Sequence, residues 1–169
     1  MIKLVNIDKN NYEDIINLCP GEENKKYIAE NAYSIVQFIY ENMTGDIKGI
    51  YLDETPIGFV MITTELKPIY IHRLMIDHKY QNKGYGKKSF MCVIDYIKNK
   101  YNPSEIFISS DNPLVINNII NYGFKPHNGL SGKFFLSEYN EHLFVYNINY
   151  LQTEIEVKTT AIIPNTNPI

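Results

Sequence analysis

Cysteine is scarce in this chain. Cys19 and Cys92 are the only two, and they stand in unrelated contexts. That excludes a disulfide framework and the paired spacing of a structural zinc site. Dense runs of lysine or arginine are also missing, and the formal net charge is −3. A mildly acidic chain without a basic stripe lacks the electrostatic footprint of a nucleic-acid binder. Nowhere do roughly 18 apolar residues follow one another, as a membrane-spanning helix requires. The opening "MIKLVNIDKN" lacks the apolar core of a secretory signal. Internal repeats and low-complexity segments are absent as well. These absences predict a soluble, cytoplasmic protein with no metal, no nucleic acid and no membrane among its partners.

What is present fits one domain. At 169 residues, with 44% hydrophobic and 21% charged residues, the chain is long enough to bury a sizeable core. "IKLVNI" (2–7) alternates like a strand, and "NNYEDIINLC" (10–19) opens on Asn with acidic residues in its first turn, as helices do. Pro20 and Gly21 break it. Residues 25–42 carry Ile28, Ala32, Ile35, Val36 and Ile39 at helical spacing. Residues 47–53 and 57–65, joined by "DETP", predict a hairpin. "IYIHRLMI" (69–76) is apolar enough for a central strand. A helix over 85–100 and a strand over 105–110 follow. Residues 111–124 predict a helix capped by Asn112, begun by Pro113 and closed by Gly123. A late strand runs over 142–151. This order describes a mixed α/β domain whose middle unit is a parallel strand–helix–strand crossover.

Between the central strand and its following helix stands "YQNKGYGKKSF" (80–90). A P-loop fails here, because Gln81 holds its first glycine position and Lys88 its Ser/Thr position. The dinucleotide pattern GxGxxG fails at Ser89. The pattern Gln/Arg-x-x-Gly-x-Gly/Ala is met in full by Gln81, Gly84 and Gly86. Glycines let backbone N–H groups approach a ligand closely, and a helix N-terminus favours negative charge. A pyrophosphate satisfies both conditions, and Lys83, Lys87 and Lys88 add positive charge. On the hexapeptide alone, an ordinary turning connection explains the glycines equally well.

The longer stretch "HRLMIDHKYQNKGYGKKSF" resembles the acetyl-CoA motif of the GNAT N-acetyltransferase superfamily, most closely its bacterial diamine and spermidine acetyltransferases. "SSDNPLVINNIINYGF" resembles that superfamily's downstream pattern through Asn112, Gly123 and Phe124. The resemblance covers about residues 1–150. It implies a mixed sheet with a splayed pair of parallel strands flanked by helices, over residues 1–151. It also implies acetyl-CoA as co-substrate. Main-chain groups of Leu74, Met75 and Ile76 would bond the pantetheine arm. Backbone amides of Gln81, Asn82, Lys83, Gly84, Tyr85, Gly86 and Lys87 would hold the pyrophosphate, with Asn112 assisting. The expected activity is acetylation of a primary amine of a small molecule, such as a polyamine. An amino sugar, amino acid or peptide amine is an alternative acceptor, and a non-catalytic acyl-CoA sensor or assembly module is an alternative role.

One departure bears on chemistry. The superfamily's usual tyrosine, a proposed acid for the departing thiolate, falls on Ile119, which has no proton to give. A thiol of pKa about 8–9 leaves tolerably without one. Tyr122 lies one turn on and is a substitute acid, although a tyrosine there also suits plain packing. His72 matches a strand position where some polyamine acetyltransferases carry a glutamate base. A satisfied core histidine is the alternative. Glu22, Glu23, Glu30, Glu138 and Glu141 are candidates to line the amine site. The tail, residues 152–169, carries the alternating "TEIEV", an extra strand that would pair with an edge in a homodimer.

Overall fold

The computed structural model describes residues 1–64, 69–127 and 142–148. Among these residues seven strands form one mixed sheet: β1 (Ile2–Asn6), β2 (Gly45–Leu52), β3 (Thr55–Thr63), β4 (Ile69–Ile76), β5 (Glu105–Ser110), β6 (Lys125–Pro126) and β7 (His142–Asn147). Their order across the sheet is β1-β2-β3-β4-β5-β7-β6. Among the described residues only β4 and β5 are parallel neighbours. The described residues also form the α-helices α1 (Tyr12–Ile16), α2 (Asn31–Tyr40), α3 (Tyr85–Tyr101) and α4 (Pro113–Asn121). This is the GNAT arrangement expected from the sequence. The predicted tail strand and dimer contact over 152–169 lie outside the described residues.

Two apolar clusters cover the two faces of the sheet. One gathers Ile71, Phe90, Val93, Ile97, Ile119 and Phe124, so α3 and α4 pack there. The other gathers Ile15, Phe59, Met61 and Met75 with Ile28, Ile35 and Phe38, so α1 and α2 pack there. The expected helix over 25–42 is shorter in fact. Residues 22–24 form a separate single turn, and α2 begins only at Asn31. Asn31 is buried and its amide donates to the Ile15 carbonyl at 2.8 Å, which pins the start of α2 to the end of α1.

The ends of α3 and α4 follow from local chemistry. Asn102 closes α3 at φ 45°, a left-handed conformation that Asn tolerates. In α4 the Asn112 side chain accepts from the Leu114 N–H at 3.0 Å, and Pro113 occupies the first helical position. Gly123 stands at φ 99° just past the end. Its N–H reaches the Ile120 carbonyl at 3.0 Å, and the Phe124 N–H reaches that of Ile119 at 3.2 Å. These two bonds make a Schellman ending, which favours an apolar contact between the residues at its two ends. Ile119 and Phe124 are those residues, and both are buried in the same cluster.

Candidate functional site

The register between β4 and β5 is short. Ile69, Tyr70 and Ile71 pair with Ile106, Phe107 and Ile108, and the ladder stops there. Beyond it β4 continues to Ile76 against β3 alone, while Ser109 and Ser110 pair with β7. The two parallel strands therefore part, and among the described residues the facing edge of β4 from His72 onward has no strand partner. At the fork the hydroxyls of Tyr70 and Ser109 are hydrogen-bonded.

A bulge marks the same place. Met61 pairs with Arg73 and Ile62 with Ile71, which leaves His72 as the extra residue. Bulges re-aim the side chains that follow them. Here the bulge reverses the alternation of β4. Ile69 and Ile71 pack toward α3 and α4, and so do Leu74 and Ile76. Met75 packs toward α1 and α2, and Arg73, two residues before it, shares that parity.

A cleft of about 350 Å³ occupies the fork. Its walls come from β4 (Ile71 to Ile76), from Ser109 and Ser110 at the end of β5, from Asn112 and Ile119 on α4, and from Tyr27 and Ile28 before α2. Gln81, Asn82 and Gly86 close one end. All of these except Arg73 are uncharged side chains or, for His72, an imidazole.

The glycine turn presents a row of donors. The Gln81 N–H bonds the His78 carbonyl at 3.3 Å, and the first bond into α3 runs from the Lys88 N–H to Gly84 at 3.4 Å. Among the described residues the N–H groups of Asn82, Lys83, Gly84, Tyr85, Gly86 and Lys87 donate no such bond. Asn82 at φ 58° and Gly84 at φ 78° are both left-handed, and alternation of this kind turns successive N–H groups into a concave anion seat. A Cβ built on Gly84 or Gly86 would meet no atom within 4 Å, so that seat is open to solvent. Lys87 and Lys88 are exposed beside it. The Lys83 ammonium, by contrast, donates to the Lys79 carbonyl at 2.7 Å.

The Gln81 side chain has a role that spacing could not reveal. Its amide donates to the Pro20 carbonyl at 2.9 Å and the Ile76 carbonyl at 2.7 Å. Buried Asp77 adds to this tie, accepting from the Cys19 N–H at 2.9 Å and the Lys79 N–H at 2.9 Å. The segment between α1 and α2 is thereby locked to the glycine turn. Ile76, expected to bond a ligand through its main chain, already offers its carbonyl to Gln81, and it lines the cleft together with Leu74 and Met75. Asn112 also lines it. Its Oδ1 caps α4, and its amide faces Asn24 Oδ1 at 3.4 Å.

The two expected catalytic side chains both reach the cleft. His72 sits edge-on to Tyr70, ring centroids 5.6 Å apart. Burial, with the neighbouring Arg73 charge, lowers its pKa to about 4. The Tyr122 ring packs tilted against Phe90, centroids 4.9 Å apart, and burial raises its phenol pKa above the ordinary value. Ile119 is buried on the cleft wall, 2% exposed. Of the carboxylates expected at the amine site, the three among the described residues, Glu22, Glu23 and Glu30, are not in the cleft walls. Glu22 pairs with Lys25 at 2.6 Å, Glu30 precedes α2, Glu23 lies near Gly21, and Glu138 and Glu141 lie outside the described residues.

A family model described as the acetyltransferase (GNAT) family matches residues 9–117. No curated protein matches the chain. Among solved structures, PaiA N-acetyltransferase of Thermoplasma acidophilum with coenzyme A aligns with a TM-score of 0.61 at 17% identity, covering 87% of this chain and 99% of that one. A GNAT family acetyltransferase of Elizabethkingia anophelis with acetyl-CoA aligns at 0.61 and 18% identity, covering 88% and 97%. N-acetylglutamate synthase of Neisseria gonorrhoeae, with coenzyme A and N-acetyl-glutamate, aligns at 0.66 and 17% identity over 87% of this chain and 35% of that one. At such identities the structural likeness speaks to the fold.

Proposed function

The chain belongs to the acetyltransferase (GNAT) family, and from that premise we propose that residues 1–151 move an acetyl group from acetyl-CoA to a primary amine of a small molecule. The carrying observation is the pairing of two features: six backbone N–H groups left open at the start of α3, and parallel strands that part just beyond Ile71. The first suits a pyrophosphate. The second offers free strand edge to an amide-bearing arm. The coenzyme A named with the solved neighbours fits both.

In this reading the pyrophosphate lies on the amides from Asn82 to Lys87. The pantetheine runs along Leu74 and Met75, and Asn112 flanks it. The amine enters from the α1–α2 side. Its nitrogen lone pair forms the new N–C bond at the thioester carbonyl. The C–S bond breaks, the thiolate departs, and the ammonium proton passes to solvent. At neutral pH only about one alkylamine in a thousand is free base, so positioning and proton removal carry the rate. His72 at a pKa of about 4 is no store for that proton. It serves as a neutral acceptor that orients the amine or a water. Tyr122 is the phenol available to meet the thiolate.

A polyamine acceptor would need a carboxylate for its second ammonium, and the described cleft walls contain none. The reading therefore stops at a small primary amine. Buried Ile119 in the cleft wall favours a second reading, a non-catalytic acyl-CoA sensor. Release of free CoA, followed over a panel of amines, separates the two. An enzyme accelerates it with an amine present, whereas a sensor binds acetyl-CoA and shows no amine dependence.

A further inference from the structure

Arg73 is the only arginine in the sequence, and the only formally charged residue among the described cleft walls. One of its terminal nitrogens donates to the His72 carbonyl at 2.9 Å. Its Nε is buried and has no hydrogen-bond partner among the described residues. Among the described residues it makes no ion pair. A guanidinium offers five donors in a planar fork, and this one leaves most of them unused. Leaving a buried N–H unmet costs free energy that a ligand acceptor would recover.

Position separates Arg73 from the pyrophosphate seat. The bulge at His72 gives it the parity of Met75, which packs toward α1 and α2. Three residues of strand set it about 10 Å back from Ile76, and the glycine turn lies further on still. The cofactor seat belongs to α3, which packs on the opposite face. Arg73 therefore stands on the side where the acceptor enters. Its single positive charge, with no carboxylate beside it among the described cleft walls, repels a diamine and balances one monoanion.

We propose that Arg73 binds a carboxylate carried by the acceptor, so that the substrate is an amino acid or a similar amine bearing one carboxylate. This rests on the acetyltransferase reading above. The guanidinium fork matches a carboxylate with two parallel hydrogen bonds, and the buried Nε supplies one of them. The match selects amines by the charge they carry beside the reacting nitrogen. It also fixes the distance between that nitrogen and β4.

The test measures kcat/KM for a set of free amino acids, for the carboxamide of each, and for putrescine and spermidine. For the favoured amino acid the wild type should prefer the acid over its amide by about tenfold or more, the scale of one charge-assisted pair. R73Q should bring that acid-to-amide ratio close to one, and R73K should leave it intermediate. Acetyl-CoA affinity checks that each variant is folded. Preference for the amides or polyamines, or an acid-to-amide ratio unchanged in R73Q, would overturn the assignment while leaving the transferase reading intact. Should no amine release CoA, the transferase reading fails, and calorimetry with the same amino acids decides Arg73. Binding to wild type and not to R73Q then supports it, and binding to neither overturns it.

Discussion

Ile71 and Leu74, three residues apart on one strand, face the same apolar cluster. Strict alternation would put them on opposite faces. The extra residue between them, His72, restores Leu74 and Ile76 to the side of α3 and Arg73 to the side of α1. The bulge thus sorts one strand into a cofactor side and an acceptor side.

Removing that residue should be far worse than changing it. Deletion of His72 shifts every following side chain to the other face and should cost several kcal/mol, enough to abolish folding in a domain of ordinary stability. His72→Ala keeps the register and should melt within a few degrees of wild type. Thermal denaturation of both proteins checks this; similar melting temperatures would refute it.

The lowered pKa of His72 has a sign that can be measured. In the unfolded chain the imidazole takes a proton near pH 6.5, whereas in the fold it does so only near 4. Between those values the unfolded state binds more protons, so stability rises with pH, by at most about 3 kcal/mol in all. Above pH 6.5 the contribution is constant. Urea unfolding from pH 4 to 8 should show this slope, and His72→Gln should flatten it. The same value means that turnover should climb with pH toward the pKa of the amine, with no inflection near 6.5.

Gly86→Val should separate folding from cofactor binding. A Cβ there meets nothing within 4 Å, so stability should change by no more than the roughly 1 kcal/mol cost of a β-branched residue in a helix. The side chain would project over the row of open amides and should lower acetyl-CoA affinity by about tenfold or more. Gly84→Val adds backbone strain of about 1–2 kcal/mol at φ 78°. Calorimetry and melting curves read the two effects apart; unchanged affinity in Gly86→Val would remove the pyrophosphate seat.

Asp46 provides a control at the end of α3 away from the glycine turn, two strands across the sheet from Ile71. It accepts from Tyr96 at 2.8 Å, from Lys100 at 2.6 Å and from Tyr101, tying β2 to the end of α3. Burial pushes its carboxyl pKa up, but the hydrogen bonds from Lys100, Tyr101 and Tyr96 and the Lys48 charge outweigh that and hold it low. Its stabilisation is present above the ordinary carboxylate range and fades as pH falls through its folded pKa. Asp46→Asn should lose about 1–3 kcal/mol and leave acetyl-CoA affinity within about twofold of wild type.

The parts of the site legible in the sequence were those coded by local chemistry. β4 and β5 keep the bounds that the sequence predicts, 69–76 and 105–110, Asn112 and Pro113 mark the start of α4, and the glycine spacing marks the donor row. Long-range contacts were not legible. Nothing near Gln81 in sequence says that its amide ties Pro20 to Ile76, and no period announces an extra residue at His72. The helix over 25–42 was overdrawn because Ile28 packs in the helical cluster from a non-helical turn. Ile119 read only as a missing tyrosine. The fold shows its positive role, an apolar partner for Phe124 across the Schellman ending of α4.

That position invites a direct probe. Ile119→Tyr would return a phenol to the cleft wall at the cost of enlarging a buried side chain, typically about 1–3 kcal/mol. If Tyr122 already meets the thiolate, turnover should rise by less than about tenfold, and Tyr122→Phe should lower it more in the wild type than in Ile119→Tyr. A larger gain would mean that the natural site lacks an acid.

The central claim is acetyl transfer from CoA to an amine. Its most direct measurement is the stoichiometry of one reaction, with free CoA and the N-acetylated amine quantified together by mass spectrometry. The account predicts one acetylated amine for each CoA released, at a rate that saturates in both substrates. Acetyl-CoA that binds but is only slowly hydrolysed, with no acetylated product from any amine, would contradict it.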